Sequence, residues 1–202
     1  MRANDRVPAA CLAAWFAVWA ICAIGPNSRM DWLLENLLTF ASVAGLLYGY
    51  RRFRFSNRAY VQITLFMILH AIGGHYTYAE VPLGRWLADA LGLARNHYDR
   101  IVHFSFGLLM LRPMREIGFR HDRDLGRFGN LYFCVAGVGL WSMLYEVIEW
   151  VVAATVDPEA GTAYLGTQGD VWDAQKDMGL ALLGALIAAL FQYRLDGRPT
   201  SR

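Results

Sequence analysis

The sequence predicts an all-α membrane protein, a polytopic bundle of about six transmembrane helices. Hydrophobic residues make up 56% of its 202 residues and charged residues only 18%, whereas about a quarter of a typical soluble domain is charged. The apolar residues are gathered into six segments, each near the ~20 residues that a helix needs to cross a bilayer. No internal repeat or linker divides the chain, so we expect residues 1–202 to form a single integral membrane domain.

The six predicted transmembrane segments span residues 7–25, 32–50, 60–78, 98–114, 128–156 and 172–193. The first is longer than the ~7–15-residue apolar core of a signal peptide, and no small-residue cleavage site follows it, so we expect an uncleaved anchor. The last contains GLALLGALIAA, whose small residues predict close packing against another helix. Residues 79–96 place apolar side chains at helical spacing, which predicts a short interfacial helix in the second outer loop.

The distribution of basic residues predicts the orientation of the chain. Of the 19 Lys and Arg residues, 14 flank one side of the predicted bundle and five flank the other. The richer side includes residues 51–58 and the run 112–127, which is expected to be a solvated loop. Because basic flanks stay in the cytoplasm, we expect a multi-pass protein of the bacterial inner membrane with both termini cytoplasmic.

Several classes of protein find no support in the sequence. The net charge of +2 is too small to indicate a nucleic-acid partner. The three cysteines lie in apolar runs without a CxxC pair, so neither a disulfide framework nor a zinc–thiolate site is expected. HExxH, Walker A and GxSxG motifs do not occur. The expected partners are the lipid bilayer and a lipid-linked or small-molecule ligand.

Ionisable residues inside the apolar segments are the strongest functional signal, since each costs ~2.5–3.5 kcal/mol on insertion scales. They lie at the end of the third and fifth segments and at the start of the fourth and sixth. Under the predicted topology, all four sets therefore share one depth near the outer face. The residues are His70, His75, Asp99, His103, Glu146, Glu149, Asp170, Asp173 and Asp177.

These side chains predict a functional pocket of imidazoles and carboxylates. Both groups are good ligands for zinc, manganese or iron, and both serve in general acid–base catalysis. The sequence does not identify a cofactor, and a divalent metal is the candidate. The same groups could also relay protons or hold a cationic substrate. The candidate catalytic residues are Asp99, His103, Glu146, Asp173 and Asp177. The candidate metal ligands are His70, His75, His103, Glu146, Glu149, Asp173 and Asp177.

A structural role is the alternative interpretation of the same residues. Acids near a helix N-terminus gain roughly 0.3–1 kcal/mol from the helix dipole, which accounts for Asp170 and Asp173. Asp177 lies a turn deeper, and Glu146 and Glu149 lie near a helix C-terminus, where the dipole is unfavourable. Arg100 is expected in the interface or as the partner of a carboxylate.

Four blocks of sequence resemble the signature blocks of the YjdF inner-membrane protein family of bacteria. They are HAIGGHYTYAEVP, RNHYDRIVHFSFGL, YEVIEWVVA and YLGTQGDVWDAQKDMGLALLGA, and the likeness extends from about residue 30 to residue 190. The resemblance implies a small helical inner-membrane bundle. It supports the location and the choice of residues but implies no activity.

A looser resemblance links the chain to VanZ-like membrane proteins. There an Asp-basic-x-x-His helix precedes a glutamate helix, and the last helix opens with spaced aspartates. By position, the implied polar set is Asp99, Arg100, His103, Glu146, Asp173 and Asp177. Trp150 and the long acidic outer loop depart from that pattern. This resemblance implies a role at the outer leaflet or in the cell envelope.

Three hypotheses of function follow from these residues. The first is an envelope enzyme, metal-assisted or acid–base, that acts on a lipid-linked or amphipathic substrate. The second is a carrier or binding protein in which the same groups handle protons or a small cation. The third is a purely structural polar cluster at the end of the bundle. The cytoplasmic halves of the segments have few ionisable groups, which disfavours the carrier.

Overall fold

A computed structural model describes residues 5–121 and 126–196, and all the regular secondary structure in those ranges is helical. The helices are α1 (Arg6–Cys22), α2 (Arg29–Gly49), α3 (Asn57–His75), α4 (Pro82–Leu91), α5 (Tyr98–His121), α6 (Gly126–Thr155), α7 (Pro158–Leu165) and α8 (Asp173–Asp196). The predicted all-α fold is therefore confirmed.

Three of these helices are long and apolar enough to cross a membrane: α2, α6 and residues Asp173–Arg194 of α8. Helix α1 is apolar but shorter, at 17 residues. Helix α5 carries more charged residues than these, among them Asp99, Arg100, Arg112 and Arg115. Many large apolar side chains are exposed around the helices, among them Leu37, Phe128, Trp141 and Phe191. A surface of this kind fits contact with lipid rather than with water.

Helices α5 and α8 pack with their backbones in contact. A Cβ atom at Gly107 would collide with the carbonyl oxygen of Ala181, and one at Gly184 would collide with that of Phe104. Ala181 and Ala185 are fully buried. The close packing predicted from GLALLGALIAA is therefore confirmed, and α5 is the partner helix. Residues one turn before the contact, on both helices, are consequently held side by side.

The far end of α5 differs from the prediction. The fourth segment was expected to end at residue 114 and to lead into a loop, but α5 continues to His121 with Pro113 inside it. Arg112 and Glu116 form an i,i+4 ion pair at 3.7 Å, which supports the helix beyond its apolar part. Glu116 also accepts hydrogen bonds from the backbone N–H and hydroxyl of Ser56. Part of the predicted loop, residues 122–125, lies outside the described residues.

Two short helices connect the long ones. Helix α4 lies in the loop where a short helix was predicted, with Gly84 and Ala88 buried and Leu83 and Trp86 exposed. Helix α7 was not predicted, because eight residues are too few to show a clear period. It packs on the end of α6, where Gly161 is so close that a Cβ atom would meet the carbonyl oxygen of Ala153.

Candidate functional site

Four predicted site residues meet where α5 and α8 begin and α6 nears its end. We call Asp99, His103, Glu146 and Asp177 the acid–imidazole cluster. The ligand atoms of Asp99, His103 and Asp177 all lie within 4.8 Å of one another. His103 Nε2 is 3.5 Å from Asp99 Oδ1 and 3.4 Å from Glu146 Oε1. The close α5–α8 contact explains this meeting, since His103 and Asp177 each precede it by one turn.

Two oxygen atoms of the cluster are buried without a hydrogen-bond partner. Within the described part of the chain, Glu146 Oε1 and Asp177 Oδ1 have none, and Asp177 is only 2% exposed. Buried polar atoms in proteins are nearly always paired, and each exception needs an explanation. These two oxygens point to a group that is absent from the protein chain itself: a metal ion, a proton, a water molecule or a ligand.

Asp173 is held by arginines. Its two carboxylate oxygens accept hydrogen bonds from Arg95 Nη1 at 2.5 Å and Arg95 Nη2 at 3.1 Å. Arg100 Nη2 donates to Asp173 at 3.2 Å and to Asp170 at 2.5 Å. We call Arg95, Arg100, Asp170 and Asp173 the arginine clamp. The expectation that Arg100 partners a carboxylate is confirmed, whereas Asp173 stands outside the group that brings metal-ligating atoms together.

The clamp also sets the charge states around it. Lys176 Nζ donates to Asp170 at 2.6 Å, and the Trp172 N–H donates to the same carboxylate at 3.1 Å. Both contacts favour the ionised form and lower the pKa of Asp170. Partial burial and the nearby guanidinium groups of Arg100 and Arg95 lower the pKa of His97. The loop end of the bundle is therefore rich in fixed charge.

The other two predicted histidines form hydrogen bonds with other parts of the chain. His70 Nε2 lies 3.1 Å from the carbonyl oxygen of Glu35, and the Tyr78 hydroxyl lies 2.5 Å from His70 Nδ1. Because a carbonyl only accepts, Nε2 donates and Nδ1 accepts. His75 Nδ1 likewise donates to the carbonyl oxygen of Cys22, at 2.8 Å. Neither histidine joins the acid–imidazole cluster.

A second polar group lies beside the cluster. The Tyr145 hydroxyl donates to Glu35 Oε2 at 2.6 Å, and Glu35 is 6% exposed. A cavity reaches from this pair to Asp99 and is lined by, among others, Asp31, Glu35, Tyr78, Asp99, Glu149 and Tyr164. Glu149 thus belongs to the cavity wall. Glu35 lies in the second predicted segment, and nothing in the sequence indicated its bond to Tyr145, 110 residues away.

Sequence reasoning also missed two residues that hold the loops at this end. Asn96 donates to the carbonyl oxygens of Ala79 and Val81, and its side chain accepts from the Tyr98 N–H at the start of α5. The Gln168 side chain pairs with both the N–H and the carbonyl of Asn96. These contacts join segments far apart in the chain, and no motif or spacing could have revealed them.

Helices with a lipid-facing surface and a buried polar cluster define a helical integral membrane protein. Residues 7–198 match the family described as "Predicted membrane protein (DUF2238)", and the chain belongs to this family. It is 40% identical over 180 residues to the protein named "Inner membrane protein YjdF" of Escherichia coli (strain K12), covering 89% of this chain and 85% of that one. No solved structure is significantly similar to this chain. The family indicated by the four sequence blocks is thus confirmed.

Proposed function

We propose that the protein crosses the bacterial inner membrane six times, with both termini in the cytoplasm and the acid–imidazole cluster near the outer face. Helices α1, α2, α3, α5, α6 and α8 are the six spans. Helix α4 lies in the outer interface, with Leu83 and Trp86 towards the lipid. The 14-to-five asymmetry of basic residues supports this orientation, and the name of the relative supports the inner membrane as the location.

Cysteine labelling in intact cells tests the orientation. In a chain whose three cysteines are replaced by alanine, Asp89→Cys and Arg51→Cys place single thiols at exposed positions. The proposed topology puts these positions on opposite faces of the membrane. A membrane-impermeant maleimide should label Asp89→Cys in intact cells and Arg51→Cys only after lysis. The reverse pattern would invert the topology.

We further propose that the protein is an envelope enzyme whose catalytic groups are Asp99, His103, Glu146 and Asp177. Its substrate is lipid-linked or amphipathic, because the cluster lies at the ends of membrane helices. The observation that carries this proposal is the pair of buried, unpartnered oxygens at Glu146 and Asp177. Among the buried atoms of the described residues that have no hydrogen-bond partner, these two are the carboxylate oxygens, and a buried carboxylate is costly to leave unpaired. Acid–base and metal-assisted catalysis would both use these groups.

Asp173 has a positioning role in this proposal. Its bonds to Arg95 and Arg100 fix the start of α8 against the start of α5. Glu35, Glu149 and Tyr78 line the cavity that reaches Asp99, whose volume of about 10 Å³ leaves room for about one water molecule.

The test is a comparison of envelope lipids by mass spectrometry. A host strain lacking the gene is complemented with the wild type, Glu146→Gln, His103→Gln or Gly179→Ala. Gly179 is the control, because a Cβ atom at that position would meet open space. We expect the wild type and Gly179→Ala to restore the lipid profile and the two cluster variants to fail. Full restoration by both cluster variants at equal expression would remove the enzymatic proposal.

A carrier of protons or cations is the alternative within the same site. It requires ionisable groups along the whole path. In the described residues, the buried acids and the buried imidazole lie towards one end of the helices: Asp31, Glu35, His103, Asp173 and Asp177. Uptake of a labelled divalent cation or of protons into proteoliposomes would favour the carrier over the enzyme.

A further inference from the structure

We propose that Asp99, His103 and Asp177 bind one divalent transition-metal ion, and that Glu146 holds a water molecule at the remaining coordination position. This inference deepens the proposed function, since it names the cofactor of the same site. It narrows the seven candidate ligands predicted from the sequence to His103 and Asp177 and adds Asp99.

The distances within the cluster fit a metal better than hydrogen bonds. In a tetrahedral site with metal–ligand bonds of ~2.1 Å, neighbouring ligand atoms lie ~3.4 Å apart. His103 Nε2 is 3.5 Å from Asp99 Oδ1, and the three ligand atoms fit within 4.8 Å. Hydrogen bonds between a nitrogen and a carboxylate are shorter, at about 2.7–2.9 Å when charged. The separation of His103 Nε2 and Asp99 Oδ1 therefore matches that of two ligands of one ion.

The charge of the cluster also calls for a cation. Three carboxylates lie around one imidazole, and repulsion between buried like charges is strong where water is scarce. The nearby guanidinium groups do not neutralise these carboxylates, because Arg95 and Arg100 are hydrogen-bonded to Asp173 and Asp170. Asp177 Oδ1 is buried and has no hydrogen-bond partner among the described residues, which leaves it available as a ligand.

The ligand types indicate the class of metal. A site of imidazole and carboxylates suits zinc, manganese or iron, whereas magnesium and calcium prefer oxygen ligands alone. Three protein ligands leave a position open, as catalytic metal sites do. Glu146 Oε1 lies 3.4 Å from His103 Nε2 and is unpartnered, so it would orient a water molecule there. A small cavity with acidic residues in its lining reaches the site at Asp99.

The ring and helix contacts hold the ligands in place before a metal arrives. The Tyr145 ring packs edge-on against His103 with centroids 5.9 Å apart. The backbone contacts at Gly107 and Gly184 fix α5 against α8. Gly107 lies one turn after His103, and Gly184 lies nearly two turns after Asp177. Such preorganisation is what a catalytic site needs from its supporting residues.

The experiment is metal titration of the full chain in detergent after chelator treatment. Zn²⁺, Mn²⁺ and Mg²⁺ are added separately and followed by calorimetry, and bound metal is counted by mass spectrometry. We expect one Zn²⁺ or Mn²⁺ per chain and at least 100-fold weaker binding of Mg²⁺. Asp177→Asn and His103→Gln should each weaken binding at least 100-fold. Bound Co²⁺ should give the absorption spectrum of an ion with a low coordination number, and the two variants should lose that spectrum.

Matched controls use the same substitutions outside the cluster. His97→Gln changes an imidazole at the same end of the bundle, and Asp89→Asn changes an exposed acid. Both should bind the metal as the wild type does, and thermal melting identifies any variant that fails to fold. Tight binding that survives both cluster substitutions would overturn the ligand assignment.

The outcome separates this inference from the proposed function. A folded wild type that binds none of the three ions overturns the metal site. If the lipid profile still depends on Glu146, acid–base catalysis then remains. If Asp177→Asn abolishes metal binding but still restores the lipid profile, the metal site is supported and the enzymatic proposal is contradicted.

Discussion

Asp173 and Asp177 are the same residue type one turn apart on α8, yet their surroundings are opposite. Asp173 accepts hydrogen bonds from two arginines and is 5% exposed. Asp177 is 2% exposed, and its Oδ1 has no hydrogen-bond partner in the described ranges. The difference arises from α5 and the loop before it, which present Arg95 and Arg100 to the first aspartate and His103 to the second.

This contrast separates stability from function. A buried carboxylate paired with arginines is strongly destabilising to remove, because the arginines are left without a counter-charge. A buried carboxylate without a partner destabilises the folded state by its presence. A protein keeps such a group when something outside the chain binds it. We therefore expect Asp173 to support the proposed site and Asp177 to belong to it.

The largest expected effect is that of Asp173→Ala. Removing the carboxylate takes away the two-oxygen partner of Arg95 and leaves Asp170 as the remaining counter-charge for both arginines. Arg95 is deeply buried, with a side chain 9% exposed. Loss of one partner of a buried pair typically costs about 3–5 kcal/mol. We expect the free energy of unfolding to fall by about that amount, as measured by denaturant titration in micelles. Asp177→Asn is the comparison, and without bound metal it should be as stable as the wild type or more so. Equal losses in the free energy of unfolding for the two variants would contradict the difference proposed between Asp173 and Asp177.

The next effect concerns the contact that places both aspartates. Gly184→Ala puts a methyl group against the Phe104 carbonyl of α5, so the helices must separate. Overpacking of this kind costs about 1–3 kcal/mol. Gly179→Ala on the same helix is the control, because its methyl group meets open space and alanine favours a helix over glycine. We expect Gly184→Ala to lower the melting temperature and Gly179→Ala to keep or raise it.

A smaller effect is expected for Arg95→Lys. The charge is kept, but the two-pronged contact with both oxygens of Asp173 is lost, as is the bond to the Thr167 carbonyl. A hydrogen bond to a charged group contributes about 1.5–3 kcal/mol, and the lysine ammonium recovers part of this. We expect a loss of about 1.5 kcal/mol in the free energy of unfolding. A neutral result would mean that charge alone, without geometry, holds Asp173.

The sequence predicted the helical fold, the family and the end of the bundle where the polar residues gather. These depend on hydrophobic segment length, small-residue runs and the cost of charge in lipid, all of which act locally along the chain. The spacing of Asp99 and His103, and of Asp173 and Asp177, correctly placed each pair one helical turn apart.

The sequence could not divide these residues among separate sites. Whether Asp173 meets an arginine or an imidazole depends on the angle and depth at which α8 meets α5, which Gly107 and Gly184 set through backbone contact. His70 and His75 had the right depth for the pocket, but the carbonyl groups that engage them come from α1 and α2. Contacts between distant segments determine which of these residues meet, and the periodicity of the sequence does not predict such contacts.

The smallest expected effect is the pH dependence contributed by Asp170, the most accessible acid of the clamp. The Lys176 ammonium and the Trp172 N–H lower its pKa in the folded state. Its contribution to stability is therefore fully present above the unfolded pKa, about 3.9, and is lost as the pH falls through the lower folded value. The melting temperatures of wild type and Asp170→Asn should differ by a constant amount between pH 5 and pH 8.

Below about pH 4 that difference should shrink, and added salt should reduce it at neutral pH, because partly exposed pairs are screened. Asp89→Asn is the control, since Asp89 is an exposed acid on α4. A difference for Asp170→Asn that widens in acid would reverse the sign of the argument. It would mean that Asp170 binds its proton more readily in the folded state, and that the ion pairs with Arg100 and Lys176 do not persist in solution.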